Sequence, residues 1–328
     1  MEHGEQWRGP ASVPVARLRT SDGRLRFGRF VGCLSDDPLA VGPRRGRARR
    51  WAYAAAGDGD TVLGAAVAAL GPVVVAFAFA AVDGRTVTWS ARARSSRTAG
   101  VGAVPAAGAR AVGRRGRLHL DGRGGLEVDV PTDAGRLVGR IATRADVVPV
   151  VLATPTPDGG WNVTEKAAGS LADLSLTVGD GAPEVLRGIG GWRDWTSGRQ
   201  DRRTRWRWAA GAGRSQDGVQ VGLNVSTGMN GVGPGEDVVW WDGRPHRLEV
   251  DRLAPTGADA AGAWQLVGPG TQLTLTPVGV RARHEHLGLL RSDYTQPLGR
   301  WHGRLRAPDG VAREVQLTGV AEDHLAVW

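Results

Sequence analysis

Cysteine is almost missing from this chain of 328 residues. Cys33 stands alone, so no intramolecular disulfide can form, which suits a reducing compartment. Lysine is as scarce: Lys166 is the only one, although arginine is abundant. Met1 to Pro10 lack the apolar run of a signal peptide, and a cytoplasmic location is expected. Helical stripes longer than about two turns are lacking, leaving Thr164–Ala172 and Pro183–Gly188 as the short helical candidates. Glycine, at 50 residues, is about twice the usual ~7%. That argues against a mostly helical protein, and with no strict triplet period collagen is excluded. Motifs of several enzyme classes are missing too: there is no Gly-x-Ser-x-Gly elbow, no His-Glu-x-x-His pair and no phosphate loop. Gly231, Gly233 and Gly235 imitate a dinucleotide fingerprint, but no helix is predicted after them. Serine hydrolases, zinc proteases and nucleotide-dependent enzymes are disfavoured, and no cofactor is expected.

What the chain does have is alternation. Hydrophobic content of 41% and charged content of 23% are those of a globular protein. Thr61 to Val82 carries no charge over 22 residues and is long enough to cross a bilayer as a helix. Gly71-Pro72 interrupts it at the midpoint, however. Val73, Val75, Phe77 and Phe79 then alternate with smaller residues, a strand signature. With Arg50–Ala56 and the turn Gly57-Asp58-Gly59-Asp60 before it, the stretch reads as three consecutive strands. The period recurs in Leu118–Val130, Val138–Ala153, Leu174–Val178, Val219–Val225 and Glu322–Trp328. Turns at Asp242-Gly243, Gly268-Pro269-Gly270 and Pro308-Asp309-Gly310 separate the later strands. More than a dozen strands in two blocks predict an all-β protein of two antiparallel barrels or sandwiches with short helical segments. The Pro/Gly-rich stretch Thr154–Gly160 marks the expected boundary. Residues 1–27 would be an arm and first strand, 28–156 the N-terminal barrel and 157–328 the C-terminal barrel.

The 42 Lys+Arg against 33 Asp+Glu leave a formal net charge of +9. Only Arg44, Arg45, Arg47, Arg49 and Arg50 cluster, and neither zinc spacing nor interleaved aromatics accompanies them. A solvated face is the plainer reading and an anion patch the alternative. No nucleic-acid partner and no membrane span are expected, and the oligomeric state is open.

Tryptophan is enriched, with 13 copies, seven of them between Trp161 and Trp241, which suggests an aromatic-lined core or pocket. In Arg202–Ala210, Thr204, Trp206 and Trp208 share one face while Arg203, Arg205 and Arg207 take the other. Trp206 and Trp208 are therefore candidate ligand-binding residues. Asn224 lies opposite the Val221, Leu223 and Val225 face and offers a ligand both donor and acceptor. Lys166, kept where arginine prevails, marks a place a guanidinium fork does not suit. Asp194, between Trp192 and Trp195, and the Glu322-Asp323 pair are candidate general acids, because an apolar cavity raises a carboxyl pKa by desolvation. His324 adjoins the pair as a candidate ligand-binding residue. His284, His286 and His302 lack a fixed ligand spacing, and no metal site is expected.

Several short boxes occur in order: Arg50-Trp51-Ala52-Tyr53-Ala54, Lys166-Ala167-Ala168-Gly169, Arg203-Thr204-Arg205-Trp206-Arg207-Trp208-Ala209, and Gly222-Leu223-Asn224. Leu287-Gly288-Leu289-Leu290-Arg291-Ser292, Gln296 with Gly299, and Ala321-Glu322-Asp323-His324 follow. From about Gly28 to the C-terminus this set resembles the family catalogued as domain of unknown function number 2804, although position 286 is histidine where members often carry asparagine. That family is distantly similar to tandem lipocalin-like proteins, a group including carotenoid hydratases (hydroxyneurosporene synthases) and fungal lipocalin-like Diels–Alderases. The resemblance implies two lipocalin-like barrels with a cavity, between or within them, for an apolar small molecule. It assigns no catalytic role to any residue.

Three functions compete. In the first, a barrel cavity encloses an isoprenoid or polyketide-like molecule and promotes metal-free hydration, isomerisation or cyclisation. Asp194 or Glu322-Asp323 would supply a proton, Trp206 and Trp208 would stabilise positive charge, and Asn224 or Lys166 would orient a polar end. The second is a non-catalytic lipid carrier, favoured if every cavity-facing carboxylate pairs with arginine. The third is an anion or nucleic-acid binder acting through the arginine cluster.

Overall fold

The computed structural model describes residues 15–41, 48–82, 84–114, 116–229, 235–287 and 290–327. The charge-free stretch forms the strands Thr61–Leu70 and Val73–Val82, turned at Gly71, whose φ of 67° favours glycine. They follow Arg49–Asp58 in continuous antiparallel register, as the alternation predicted. Among the described residues no helix is long and apolar enough to cross a membrane.

These strands belong to a first sheet of thirteen described strands. Its path runs from Arg85–Arg94 through Val73–Val82, Thr61–Leu70 and Arg49–Asp58 to Glu184–Arg199 and Trp161–Val178. It continues through Gly135–Ala145, Leu126–Thr132, Gly116–Leu120 and Ala109–Gly113 to Ala99–Val101. A second sheet of nine described strands places Arg203–Ser215 beside Ala312–Val327, then Leu290–Arg306 and Thr271–Leu287. The protein is thus all-β, with two antiparallel sheets in near-barrel form, each around its own apolar core.

Two local expectations are corrected. Thr164–Ala172 is not helical but the middle of the strand Trp161–Val178, and Pro183–Gly188 leads into the strand Glu184–Arg199. The Lys-Ala-Ala run has good helix propensity. Pairing on both edges, with Val150–Pro155 and with Glu184–Arg199, overrides it. The helical pieces described are two 3-10 turns, Pro38–Val41 and Pro105–Ala107. The expected boundary at 156/157 also falls inside the first sheet. Thr154–Gly160 is the turn between Val150–Pro155 and Trp161–Val178, and the chain crosses to the second sheet only after Arg199. Proline and glycine mark a turn without saying which sheet the next strand joins.

The central strands bury both faces. Ala52, Ala54 and Ala56 pack into the first core, while Tyr53 and Ala55 point to the second sheet. Ala209 and Ala321 pack into the second core, while Trp208, Ala210 and Val320 point back. A third apolar layer therefore joins the two sheets, pinned by a hydrogen bond from Trp240 Nε1 to the Val148 carbonyl at 2.8 Å. Backbone meets backbone where Gly169, at φ +94°, faces Gly222. A Cβ on Gly222 would lie 2.0 Å from the carbonyl oxygen of Ala168, so this glycine sets how closely the sheets approach. Gly222→Ala is expected to lower stability by about 1–3 kcal/mol through overpacking. A Cβ on Gly113 meets nothing within 4 Å, and Gly113→Ala should change stability by less than about 0.5 kcal/mol. Paired thermal melts measure both, and equal melting temperatures would contradict the close-contact account.

Candidate active site between the two sheets

The layer between the sheets is not filled throughout. It holds a cavity of about 200 Å³, many times the ~10–15 Å³ that one water requires. Each sheet encloses an apolar core, and this cavity lies between the two sheets. Trp51, Tyr53, Ala66 and Phe77 of the first sheet and Trp206 and Trp208 of the second line it, with Trp208 edge-on to Tyr53 at 5.3 Å between ring centres. The wall is mainly apolar, as a pocket for a hydrophobic small molecule requires.

A β-bulge makes part of that wall polar. Along Thr271–Leu287, Leu273 and Leu275 point into the second core. The register shift between Pro277 and Gly279 then inverts the alternation, so that Arg281, Arg283 and Glu285 border the cavity. Counting by twos from Leu275 places Arg281 in the core, and sequence reasoning missed it. The proline and glycine interrupting this strand were the available signal.

One polar cluster centres on Lys166. Its Nζ lies 2.9 Å from Asp194 Oδ1 and 3.1 Å from Glu236 Oε2. Burial works against the ammonium, but the two carboxylates outweigh it and hold its pKa above the ordinary lysine value. Asp194 also accepts hydrogen bonds from Trp51 Nε1 at 2.9 Å and from the hydroxyls of Thr164 and Thr196 at 3.1 and 3.0 Å. Four donors converge on it. That makes Asp194 a structural counter-ion and corrects its assignment as proton donor. Trp192 shares its face but does not border the cavity, and Trp195 turns into the first core. Asn224 accepts from Trp208 Nε1 and donates to the Glu236 carbonyl, each at 2.9 Å, and lies behind the cavity wall rather than in it.

A second cluster is built on Ala312–Val327 and Leu290–Arg306. Glu322 accepts hydrogen bonds from Trp206 Nε1 at 3.0 Å and Gln296 Nε2 at 2.6 Å, and His324 Nδ1 lies 3.2 Å from its Oε1. Burial alone would raise its pKa. The His324 contact, the Arg281 charge and the indole N–H prevail and hold the carboxyl below the usual range. Glu322 is thus kept as an acceptor, which corrects its reading as a general acid. On the other side of the ring, His324 Nε2 lies 3.0 Å from Ser292 Oγ. The imidazole packs against Trp206, ring centres 4.0 Å apart. Asp323, one residue away, points to the opposite face of the strand. It binds Arg205 and Arg207 there at 3.1–3.2 Å, out of reach of the cavity.

Arg281 is buried, 3.4 Å from the centre of the Phe77 ring and 4.3 Å from that of Tyr294. Its Nη1 donates to Gln296 Oε1 at 3.2 Å, and it has no carboxylate ion-pair partner among the described residues. Burial holds its pKa below the ordinary arginine value, with Tyr294 and Glu322 acting in the other direction. A guanidinium held this way retains donors for an electron-rich group of a ligand.

The remaining constellations do not assemble. Arg49 donates to the Gln200 carbonyl at 2.9 Å and Arg50 pairs with Asp37. Arg44, Arg45, Arg47, Gly231 and Gly233 lie outside the described residues. His284 contacts Asp293 at 3.4 Å, whereas His302 stands opposite Thr274, ten positions along the strand from His284. That is roughly 30 Å away. The side chain of His286 lies outside the described residues.

The lowered pKa of Glu322 has a consequence for stability. Its folded-state value lies below the 4.5 of an unperturbed glutamate. Its contribution is therefore full above that pH and lost as pH falls through the folded-state value. Glu322→Gln should be less stable by about 1–3 kcal/mol near neutral pH. The gap should narrow below about pH 4.5. Urea unfolding of both proteins across that range measures it, and a gap that widens toward acid would contradict the assignment.

Comparison with known proteins places these features in context. No curated protein matches the chain. Among solved structures, CghA with Sch210972 is 13% identical, covering 85% of this chain and 88% of that one at a TM-score of 0.46. A candidate AttH (NE1406) from Nitrosomonas europaea is 10% identical, with coverages of 88% and 96% and a TM-score of 0.47. Kievitone hydratase from Nectria haematococca is 11% identical, with coverages of 84% and 88% and a TM-score of 0.46. A family model, Domain of unknown function (DUF2804), matches residues 14–328. Lys166, Trp206, Trp208, Gly222, Glu322 and His324, which build the site or its scaffold, all fall within that match, and the chain belongs to the DUF2804 family.

Proposed function

We propose that this protein is an enzyme that binds a mostly apolar, carbonyl-bearing small molecule between its sheets. It moves a proton on that molecule through His324, in a hydration, isomerisation or cyclisation. The observation that carries this reading is the His324 imidazole, oriented by Glu322 at 3.2 Å at the edge of an apolar cavity. Nε2 takes a proton from the carbon beside the carbonyl, or from a water adding to a conjugated double bond, and returns it to the product. Negative charge then develops on the carbonyl oxygen, and Arg281 supplies fixed donors for it in a site of low dielectric.

This chemistry differs from cation stabilisation by tryptophan. Lys166 Nζ already lies 5.7 Å over the Trp208 ring, and Arg281 covers Phe77 and Tyr294. Resident cations on these π faces disfavour a positively charged intermediate and favour an enolate-like one. Lys166, Asp194 and Glu236 form a polar end that orients the rest of the substrate. The carrier reading is less well supported. Glu322 is bound by His324, Trp206 and Gln296, and Asp194 by Lys166, so the buried carboxylates of the cavity are not simply neutralised by arginine.

The test is hydrogen exchange on apolar enones of isoprenoid or polyketide type, incubated with the protein in deuterated water and read by mass spectrometry. The native protein should catalyse deuterium uptake beside the carbonyl. His324→Gln should slow it roughly 10²–10⁴-fold while still quenching tryptophan fluorescence on ligand binding. Arg281→Met should slow it about 10²–10³-fold. Exchange that is absent, or unchanged in His324→Gln, would overturn the proposal.

A further inference from the structure

A histidine base needs only the carboxylate behind it, yet the second ring nitrogen of His324 lies within hydrogen-bond distance of a hydroxyl. The strand register makes this arrangement. Tyr294 pairs with His324 and Ser292 with Ala326, so Ser292 is the diagonal neighbour of His324 on the same face. Glu322 lies two residues before His324 and shares that face too. The resulting chain runs Ser292 Oγ, 3.0 Å, His324 Nε2; then His324 Nδ1, 3.2 Å, Glu322 Oε1. Trp206 donates to the same Oε1 and Gln296 to Oε2 of Glu322, and the Trp206 ring packs against the imidazole, so each of the three groups is held by its neighbours. All three border the cavity.

From this geometry we propose that Ser292 is a nucleophile, activated by His324 and Glu322, that forms an acyl-enzyme with esters of hydrophobic acids. A nucleophile–base–carboxylate relay is recognised by geometry and not by sequence order, so it can sit on a plain antiparallel sheet without the Gly-x-Ser-x-Gly elbow. Ser292 Oγ attacks the ester carbonyl carbon as its proton passes to His324 Nε2, and the carbonyl π pair moves onto oxygen. Arg281, linked to Glu322 through Gln296, borders the cavity beside this cluster and is the cation assigned to meet this oxyanion. Collapse breaks the bond to the alcohol oxygen, which leaves with the proton from His324. Water, deprotonated by His324, then releases the acid and restores Ser292, so ester and water become acid and alcohol. The apolar walls select an alkyl or prenyl acyl chain over a polar one.

The inference shares His324 with the proton-transfer reading but predicts a covalent intermediate that reading does not contain. The full chain is treated with a long-chain alkyl fluorophosphonate and examined by intact mass and peptide mapping. A single adduct on Ser292 is expected, absent in Ser292→Ala and formed roughly 10²–10⁴-fold more slowly in His324→Gln. Hydrolysis of 4-nitrophenyl octanoate should fall in parallel. Ser292→Cys provides a readout that does not depend on turnover. Its thiol, paired with His324, should react with iodoacetamide faster than the half-buried Cys33 does, and lose that advantage when His324→Gln is added. No adduct, an adduct elsewhere, or equal labelling of Ser292→Ala would overturn the proposal. Lack of an adduct in protein that still catalyses deuterium exchange would overturn this inference alone.

Discussion

Side chains alternate along a strand, and in this protein the central strands of both sheets are covered on both sides. Each sheet buries one face in its own core and offers the other to its partner sheet. The contact of Gly169 with Gly222 and the Trp240 hydrogen bond hold the sheets close at one part of the joint. Elsewhere side chains of both sheets line a gap that neither sheet makes by itself. The cavity is therefore a product of assembly and not of either barrel.

Charges inside that gap are arranged in answered sets. Taking an ion out of water costs several kcal/mol unless other groups replace the solvent. Lys166 has two carboxylates, and Asp194 has an ammonium, an indole and two hydroxyls. Glu322 has an indole, an amide and an imidazole. Arg281 departs from this pattern, with aromatic faces and one amide oxygen but no carboxylate partner among the described residues. In the proposed reaction this fixed cation would meet the negative charge as it develops, with little reorganisation of its surroundings.

The alternation in Arg203–Trp208 correctly separated the tryptophans from the arginines, whereas Glu322 was grouped with Asp323 although its partner on the same face is His324. Its neighbour Asp323 was legible as the wrong face by the same count, since odd and even positions of a strand cannot both reach one cavity. Asp194 was judged from its tryptophan neighbours in sequence. Its real surroundings, Trp51, Thr164 and Lys166, come from other strands. Arg281 escaped because a single extra residue at the bulge reverses the face of everything after it.

Composition and period-two patterning by themselves determined that the chain is all strand, where most hairpins turn, and which residues of a given strand share a face. Those are local properties, set by the geometry of the extended backbone and by turn chemistry. Tertiary structure alone decided that Glu184–Arg199 joins the first sheet, that a cavity lies between the two sheets, and that Ser292, His324, Glu322 and Arg281 all border it. Strand pairing, bulge position and sheet spacing depend on contacts between residues far apart in the chain, and no periodicity within one strand encodes them.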